Sequence, residues 1–180
     1  MTKKKSNTPK ANAASSMSDV AGELAKIAVE FRYHWKDVAS EVLWALPLGG
    51  DRYELRNVPF YAYGMNWGDV VRAVKQQGDE HPVVERVEQA SGHRTMRVFM
   101  DDEVAETRSV AMLESLEQFN ATYERHSGGF IAIDIHPDGD VDGVFDQLDT
   151  WEAEGLLGFE TCEQQVPDDF GSDPQDDNRT

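Results

Sequence analysis

Between residues 26 and 100 the chain is punctuated every few residues, and that punctuation limits what it can fold into. Residues 26–33 alternate, with Ile27, Val29, Phe31 and Tyr33 on one side and Lys26, Ala28, Glu30 and Arg32 on the other. A period of two belongs to a half-buried strand. A second extended run, 41–46, stops at Pro47; Gly49, Gly50 and Asp51 tolerate positive φ and turn the chain, and 52–58 resumes the strand pattern. These two runs read as a hairpin. Beyond Pro59 come Phe60-Tyr61-Ala62-Tyr63, Gly64 and Gly68-Asp69-Val70-Val71, then strand-like runs at 83–88 and 94–100 with Ser91-Gly92 as the turn between them. Short strands separated by turn signals predict a small antiparallel barrel or curled sheet.

The pattern changes near Asp101. Residues 102–119 are rich in helix formers and acidic at the start, with Val110, Leu113 and Leu116 on one face and Gly128-Gly129 ending the element. The apolar run 130–135 has strand length and reads as buried on both sides until Pro137 breaks it. From 140 to 154 Val141, Val144, Phe145, Leu148 and Trp151 keep helical spacing, Gly155 is a stop, and a short strand at 158–162 follows. The expected class is α+β: an N-terminal antiparallel barrel-like lobe over 23–100, then a strand–helix–strand–helix–strand, ferredoxin-like lobe over 101–163. A basic tail, 1–22, and an acidic tail, 164–180, are expected to be disordered.

Charge is distributed as unevenly as structure. Of 34 acidic residues, fifteen lie from Phe130 onward against one base, Arg179, so this last third carries −14 of the net −17. Such a field repels nucleic acid and anionic membrane and attracts basic partners. No apolar run approaches the roughly 20 residues that span a bilayer. Lys3, Lys4, Lys5 and Lys10 are not followed by a signal-like apolar stretch, and the single cysteine, Cys162, makes no internal disulfide and no thiolate zinc cluster. A cytoplasmic setting is expected, with no cofactor.

Several segments together resemble a family. Glu41-Val42-Leu43-Trp44-Ala45, Asn57-Val58-Pro59-Phe60-Tyr61-Ala62-Tyr63-Gly64, Gly68-Asp69-Val70-Val71, and Ser91-Gly92-His93 with Arg97 follow the pattern E-S-L-W-A, N-I-P-F-x-A-x-G-x-x-x-G-D-x-V and S-G-H-x-T-x-R. The chain is thereby similar to an uncharacterised bacterial domain of unknown function over about residues 27–163, with Val42 departing from the expected Ser. The resemblance implies a fold and a bacterial cytoplasmic setting and carries no activity.

Three segments could carry function. Tyr61, Tyr63, Asn66 and Trp67 could ring a binding mouth that Gly64 and Gly68 let a ligand approach, with Asp69 in it; the simpler reading is a turn that Asp69 closes as an Asx-turn. His93 could act as general acid or base with Asp69 or Glu41 orienting it, although Ser91 lacks the setting of a nucleophile; His34, His81, His126 and His136 read as scattered surface or loop residues. Residues 138–143 match D-x-D-x-D-G, which offers Asp138, Asp140, Asp142 and Asp149 as calcium ligands. The entering helix is missing, so a helix N-cap by Asp140 or Asp138 is the preferred reading.

The acidic helix face of Asp142, Asp146, Asp149 and Glu152 continues in charge into Asp168, Asp169, Asp173, Asp176 and Asp177. The first functional expectation is therefore an acidic binding protein, of the immunity or antitoxin kind, that neutralises a basic protein partner. The alternative is a small-ligand-binding or enzymatic domain using Tyr61 to Asp69 with His93. Binding is expected over catalysis, because no catalytic constellation stands out.

Overall fold

The computed structural model describes residues 22–31, 38–104, 106–163 and 170–171. Arg32, Tyr33, His34 and most of both tails lie outside them.

The alternation seen in the sequence closes a barrel. β1 (Ala25–Glu30), β2 (Ser40–Gly49), β3 (Arg52–Leu55), β4 (Val70–Val74) and β5 (Val83–Gln89) form a meander, and β1 pairs with β5 in parallel at Ala28 and Val83 to close it. Ile27, Val29, Phe31, Leu43, Ala45, Leu55, Val71, Ala73 and Val84 fill the interior. Gly49, Gly50 and Asp51 take φ of 84°, 62° and 62° at the β2–β3 turn, a backbone for which glycine is the least strained choice.

The second lobe is built from β6 (Arg94–Met100), α1 (Glu106–Glu114), a 3₁₀ turn (Ser115–Phe119), β7 (Ala121–Arg125), β8 (Phe130–Ile135), α2 (Val141–Ala153) and β9 (Leu157–Thr161). Its sheet runs β7-β8-β6-β9, antiparallel throughout. That is the strand order of the ferredoxin-like split β-α-β arrangement. Met96, Val98, Ile131, Ile133, Ile135 and Leu157 pack on Met112, Leu113 and Leu116 and on Val144, Leu148 and Trp151 from the helical elements. No helix among the described residues is long and apolar enough to cross a membrane.

Two expectations change. The strand at 94–100 does not complete the barrel: β6 hydrogen-bonds to β8 and β9, so the lobes change over at residues 90–93 and Ser91-Gly92 forms a corner between sheets. Adjacent strand runs in sequence cannot reveal this, because periodicity reports a face and not a partner. The helix over 102–119 is shorter than expected, its second half being the 3₁₀ turn, and a strand, β7, occupies 121–125. Asn120, at φ 55°, breaks the helix.

One face of the second sheet carries no helix, and the segment between β3 and β4 covers it. Strand alternation brings Thr95, Arg97 and Phe99 of β6 to that face, with Thr122 and Glu124 of β7, Phe130, Ala132 and Asp134 of β8, and Glu160 of β9. Gly64 N donates to Cys162 O (2.7 Å), Tyr63 N to Phe170 O (2.8 Å) and Val58 N to Glu124 Oε1 (3.2 Å), which seats the segment.

Candidate functional site

The aromatic–glycine segment does not form one mouth. Its residues divide among a lock, a bracket and two cavities. Tyr63 is fully buried, which removes it from any ligand-binding ring. Its ring lies 4.2 Å from the Arg97 guanidinium, and its hydroxyl donates to Glu160 Oε1 (3.0 Å). Arg97, itself 0% exposed, also donates to Glu160 Oε1 (3.2 Å) and to the carbonyl of Ala62. Glu41 points inward from β2 and accepts the amides of Phe60 (2.7 Å), Tyr61 (3.0 Å) and Ala62 (2.9 Å). Burial pushes the Glu41 carboxyl above its ordinary range, although the three amides and Arg97 pull the other way. Burial alone would disfavour the Arg97 charge. Cys162, Tyr63, Glu160 and Glu41 outweigh that, so Arg97 holds its proton more firmly than usual. Tyr61 is half-buried against Phe130 (5.5 Å) and His126 (5.7 Å).

Asp69 is the bracket. At 1% exposure it accepts the Asn66 amide on Oδ2 (2.8 Å) and the Ser91 amide on Oδ1 (2.7 Å). Ser91 Oγ then donates to Trp67 O (2.7 Å) and accepts the His93 amide (3.2 Å). The hydroxyl is committed to backbone and does not stand as a nucleophile. At Gly68, φ is +76° and a Cβ would lie 3.2 Å from Ser91 Cβ, so glycine is what allows the contact. The bracket sets His93 beside Trp67, with ring centres 4.9 Å apart.

His93 does find a carboxylate, but neither of those expected. Its Nδ1 lies 2.9 and 3.0 Å from the two carboxylate oxygens of Asp134 on β8, while Asp69 is held by amides and Glu41 lies among the segment's own amides. The two side chains are 10% and 6% exposed. His136, two residues on, lies with its ring tilted 43° and centred 5.1 Å from that of His93, and brings Nε2 to 3.9 Å from Asp134. It is a loop residue, 39% exposed at its side chain as a surface position would be, and it also borders this cluster. One signal was present in sequence: Asp134 is the lone acid of an apolar run, and an acid facing inward needs a partner.

His93 lines two cavities. The smaller, about 240 Å³, is bounded by Val58, Trp67, His93, Thr122, Glu124, Asp134 and His136. The larger, about 660 Å³, lies between the lobes and includes Asn66, His93, Thr95, Asp142, Phe145 and Cys162 among its walls. Thr95, 5% exposed, has a hydroxyl oxygen with no hydrogen-bond partner among the described residues. Burial first, and then the charge of Asp134, hold the Glu124 carboxyl above its ordinary range against the pull of the Val58 amide.

The other candidates fall elsewhere. Asp146, Asp149 and Glu152 lie exposed on α2, and Asp142 is exposed at the rim of the larger cavity. The calcium alternative meets a different structure: Asp140 caps α2 through the Gly143 amide (2.9 Å) and Asp138 accepts from the Asn120 side chain. Among the described residues, no three His, Cys, Asp or Glu side chains are grouped to hold a metal ion.

With that geometry in place, the comparisons identify kin. The chain belongs to the family described as a domain of unknown function, DUF4265, whose pattern matches residues 41–159. No curated protein matches it. A hypothetical protein from Neisseria gonorrhoeae, known from a crystal structure, is similar at TM-score 0.67 with 15% sequence identity, over 78% of this chain and 95% of that one. At that identity the likeness is one of fold.

Proposed function

We propose that the chain is a small-ligand-binding domain whose site lies at the junction of its two lobes, around His93. One observation carries the reading: a buried His93–Asp134 pair whose ring walls both interlobe cavities. With Nδ1 engaged by Asp134, the imidazole is fixed in orientation, and Nε2 makes no hydrogen bond among the described residues. Such a nitrogen can accept a hydrogen bond or a proton from a ligand. The Thr95 hydroxyl on the larger cavity adds a polar group without a partner among the described residues. A cavity of a few hundred Å³ with a few convergent polar groups is the usual form of a small-molecule site.

A thermal-shift screen of metabolites on the full chain tests this. A ligand at about 100 times its Kd stabilises the folded state by roughly 2.7 kcal/mol. The expected hit loses its shift in His93→Asn and in Trp67→Ala, while a hit that persists in both variants would place binding elsewhere.

A second reading uses the exposed acidic face of α2. Asp142, Asp146, Asp149 and Glu152 all reach solvent, and the helix has no basic residue in its last turn. A basic protein partner, neutralised in the immunity or antitoxin manner within the cytoplasm, would be drawn to that face by electrostatic steering. Association of such a partner should slow steeply with added salt, and an association rate indifferent to ionic strength would remove the argument.

A further inference from the structure

We infer that the smaller cavity beside His93 accepts a small organic cation, an ammonium or guanidinium group, between the Trp67 indole and the carboxylates of Glu124 and Asp134. The inference rests on the ligand-site reading above and gives its ligand a chemical class. The walls supply acceptors and aromatic faces: Glu124, Asp134, the Thr122 hydroxyl, and the rings of Trp67, His93 and His136. With its Nδ1 proton directed to Asp134, a neutral His93 presents Nε2 as one more acceptor, on a side chain 10% exposed. Glu124 spends Oε1 on the Val58 amide (3.2 Å), and its other oxygen makes no hydrogen bond among the described residues.

No Lys or Arg is among the described residues of the cavity wall. Arg56, whose guanidinium lies 5.6 Å from the Trp67 ring, is engaged by Glu54 at 3.0 Å. Protonating His93 would answer Asp134 and still leave Glu124 without a positive partner. Two carboxylates sharing a half-enclosed space favour whatever brings positive charge into it. The donors grouped here do not form a metal cluster, whereas an indole face beside carboxylates suits an organic cation. The cavity volume of about 240 Å³ fits a head group of that size.

The test is an NMR titration of the full chain with methylguanidinium, acetamide and acetate, following the ring signals of His93 and His136 and the indole N–H of Trp67. Methylguanidinium should shift these signals saturably, and acetamide and acetate should not. Glu124→Gln keeps an acceptor for the Val58 amide and should weaken methylguanidinium binding about tenfold. Glu114→Gln, on the exposed side of α1, should leave the affinity unchanged. Acetate binding as tightly as methylguanidinium, an equal loss in Glu114→Gln, or no shift with any probe overturns the cation assignment. In each case a screening hit of neutral or anionic class that depends on His93 leaves the ligand-site reading standing, so the two can fail separately.

Discussion

Replacing Arg97 with Met should cost far more than its single ion pair implies. The guanidinium is 0% exposed, donates to Glu160 Oε1 (3.2 Å) and to the Ala62 carbonyl, and lies 4.2 Å from the Tyr63 ring. Methionine fills comparable volume, so the loss is electrostatic and not a cavity. It removes the cation that faces two buried carboxylates, Glu160 at 11% side-chain exposure and Glu41 at 9% exposure overall. Removing one partner of a buried pair typically costs about 3–5 kcal/mol. Native domains have only about 5–15 kcal/mol in all. For a chain of this size the melting temperature should fall by roughly 6–20 °C. Glu41 supplies an internal check, because its pKa is already raised by burial and Arg97 is one of the groups restraining it. Without Arg97 the neutral form gains further, so the penalty should be large at pH 8 and shrink toward pH 5. Urea denaturation at both pH values, with Glu160→Gln as the second arm of a double-mutant cycle, measures it. A penalty below about 1 kcal/mol, or one that does not change with pH, would refute the view that Arg97 locks the lobes through buried charge.

Further outcomes follow from the same geometry. Gly68→Ala forces a side chain to φ +76° and to 3.2 Å from Ser91 Cβ; a loss of about 1–3 kcal/mol in urea denaturation is expected, and an unchanged midpoint would mean the bracket yields freely. Glu41 and Glu124 both have carboxyls raised above 4.5. The folded state therefore holds more protons than the unfolded one, so their joint contribution makes stability fall as pH rises from about 4.5 through the folded-state values. Glu124→Gln should flatten that slope in a melting series from pH 4 to 8, and identical slopes would count against it. Asp140→Ala removes the cap on Gly143 N and should cost about 1 kcal/mol. Calcium or chelator should leave the wild-type melting temperature unchanged, and a calcium-dependent rise would restore the metal-loop reading.

The local parts of this fold were legible because they depend on near neighbours. Alternation at Ile27, Val29 and Phe31 marks a barrel strand, the Gly49-Gly50-Asp51 turn closes a hairpin, and Asp140 caps a helix whose stripe includes Val144, Leu148 and Trp151. The same alternation places Glu41 inside with Leu43 and Ala45, a conflict visible in the sequence and resolved only by amides nineteen to twenty-one residues away. What the sequence could not supply was pairing across distance. His93 and Asp134 are 41 residues apart, and nothing in their spacing distinguishes Asp134 from Asp69 or Glu41 as partner. The assignment of 94–100 to the barrel failed for the same reason, since a strand's period is unchanged by the sheet it joins.

Register brings the residues of the proposed site together on the helix-free face. One rung of the second sheet sets Arg97 between Glu160 and Ala132, with Glu124 beyond. The next rung sets Thr95 beside Asp134, with Thr122 beyond it. A further rung stacks Phe99 on Phe130, centres 4.9 Å apart and planes 7° from parallel. The Arg97 rung is tied to Tyr63, Glu160 and Ala62 and holds the covering segment down, although Arg97 Nε makes no hydrogen bond among the described residues. The Thr95–Asp134 rung keeps a hydroxyl and a histidine nitrogen that have no hydrogen-bond partner among the described residues, and it borders two cavities. Buried polar atoms left unpaired are costly, commonly about 1–3 kcal/mol each. Packing the same face with apolar residues would avoid that cost and would abolish the cavities. In the proposed site, the ion-paired Arg97 rung would fix the geometry and the Thr95–Asp134 rung would leave polar groups for a ligand to complete.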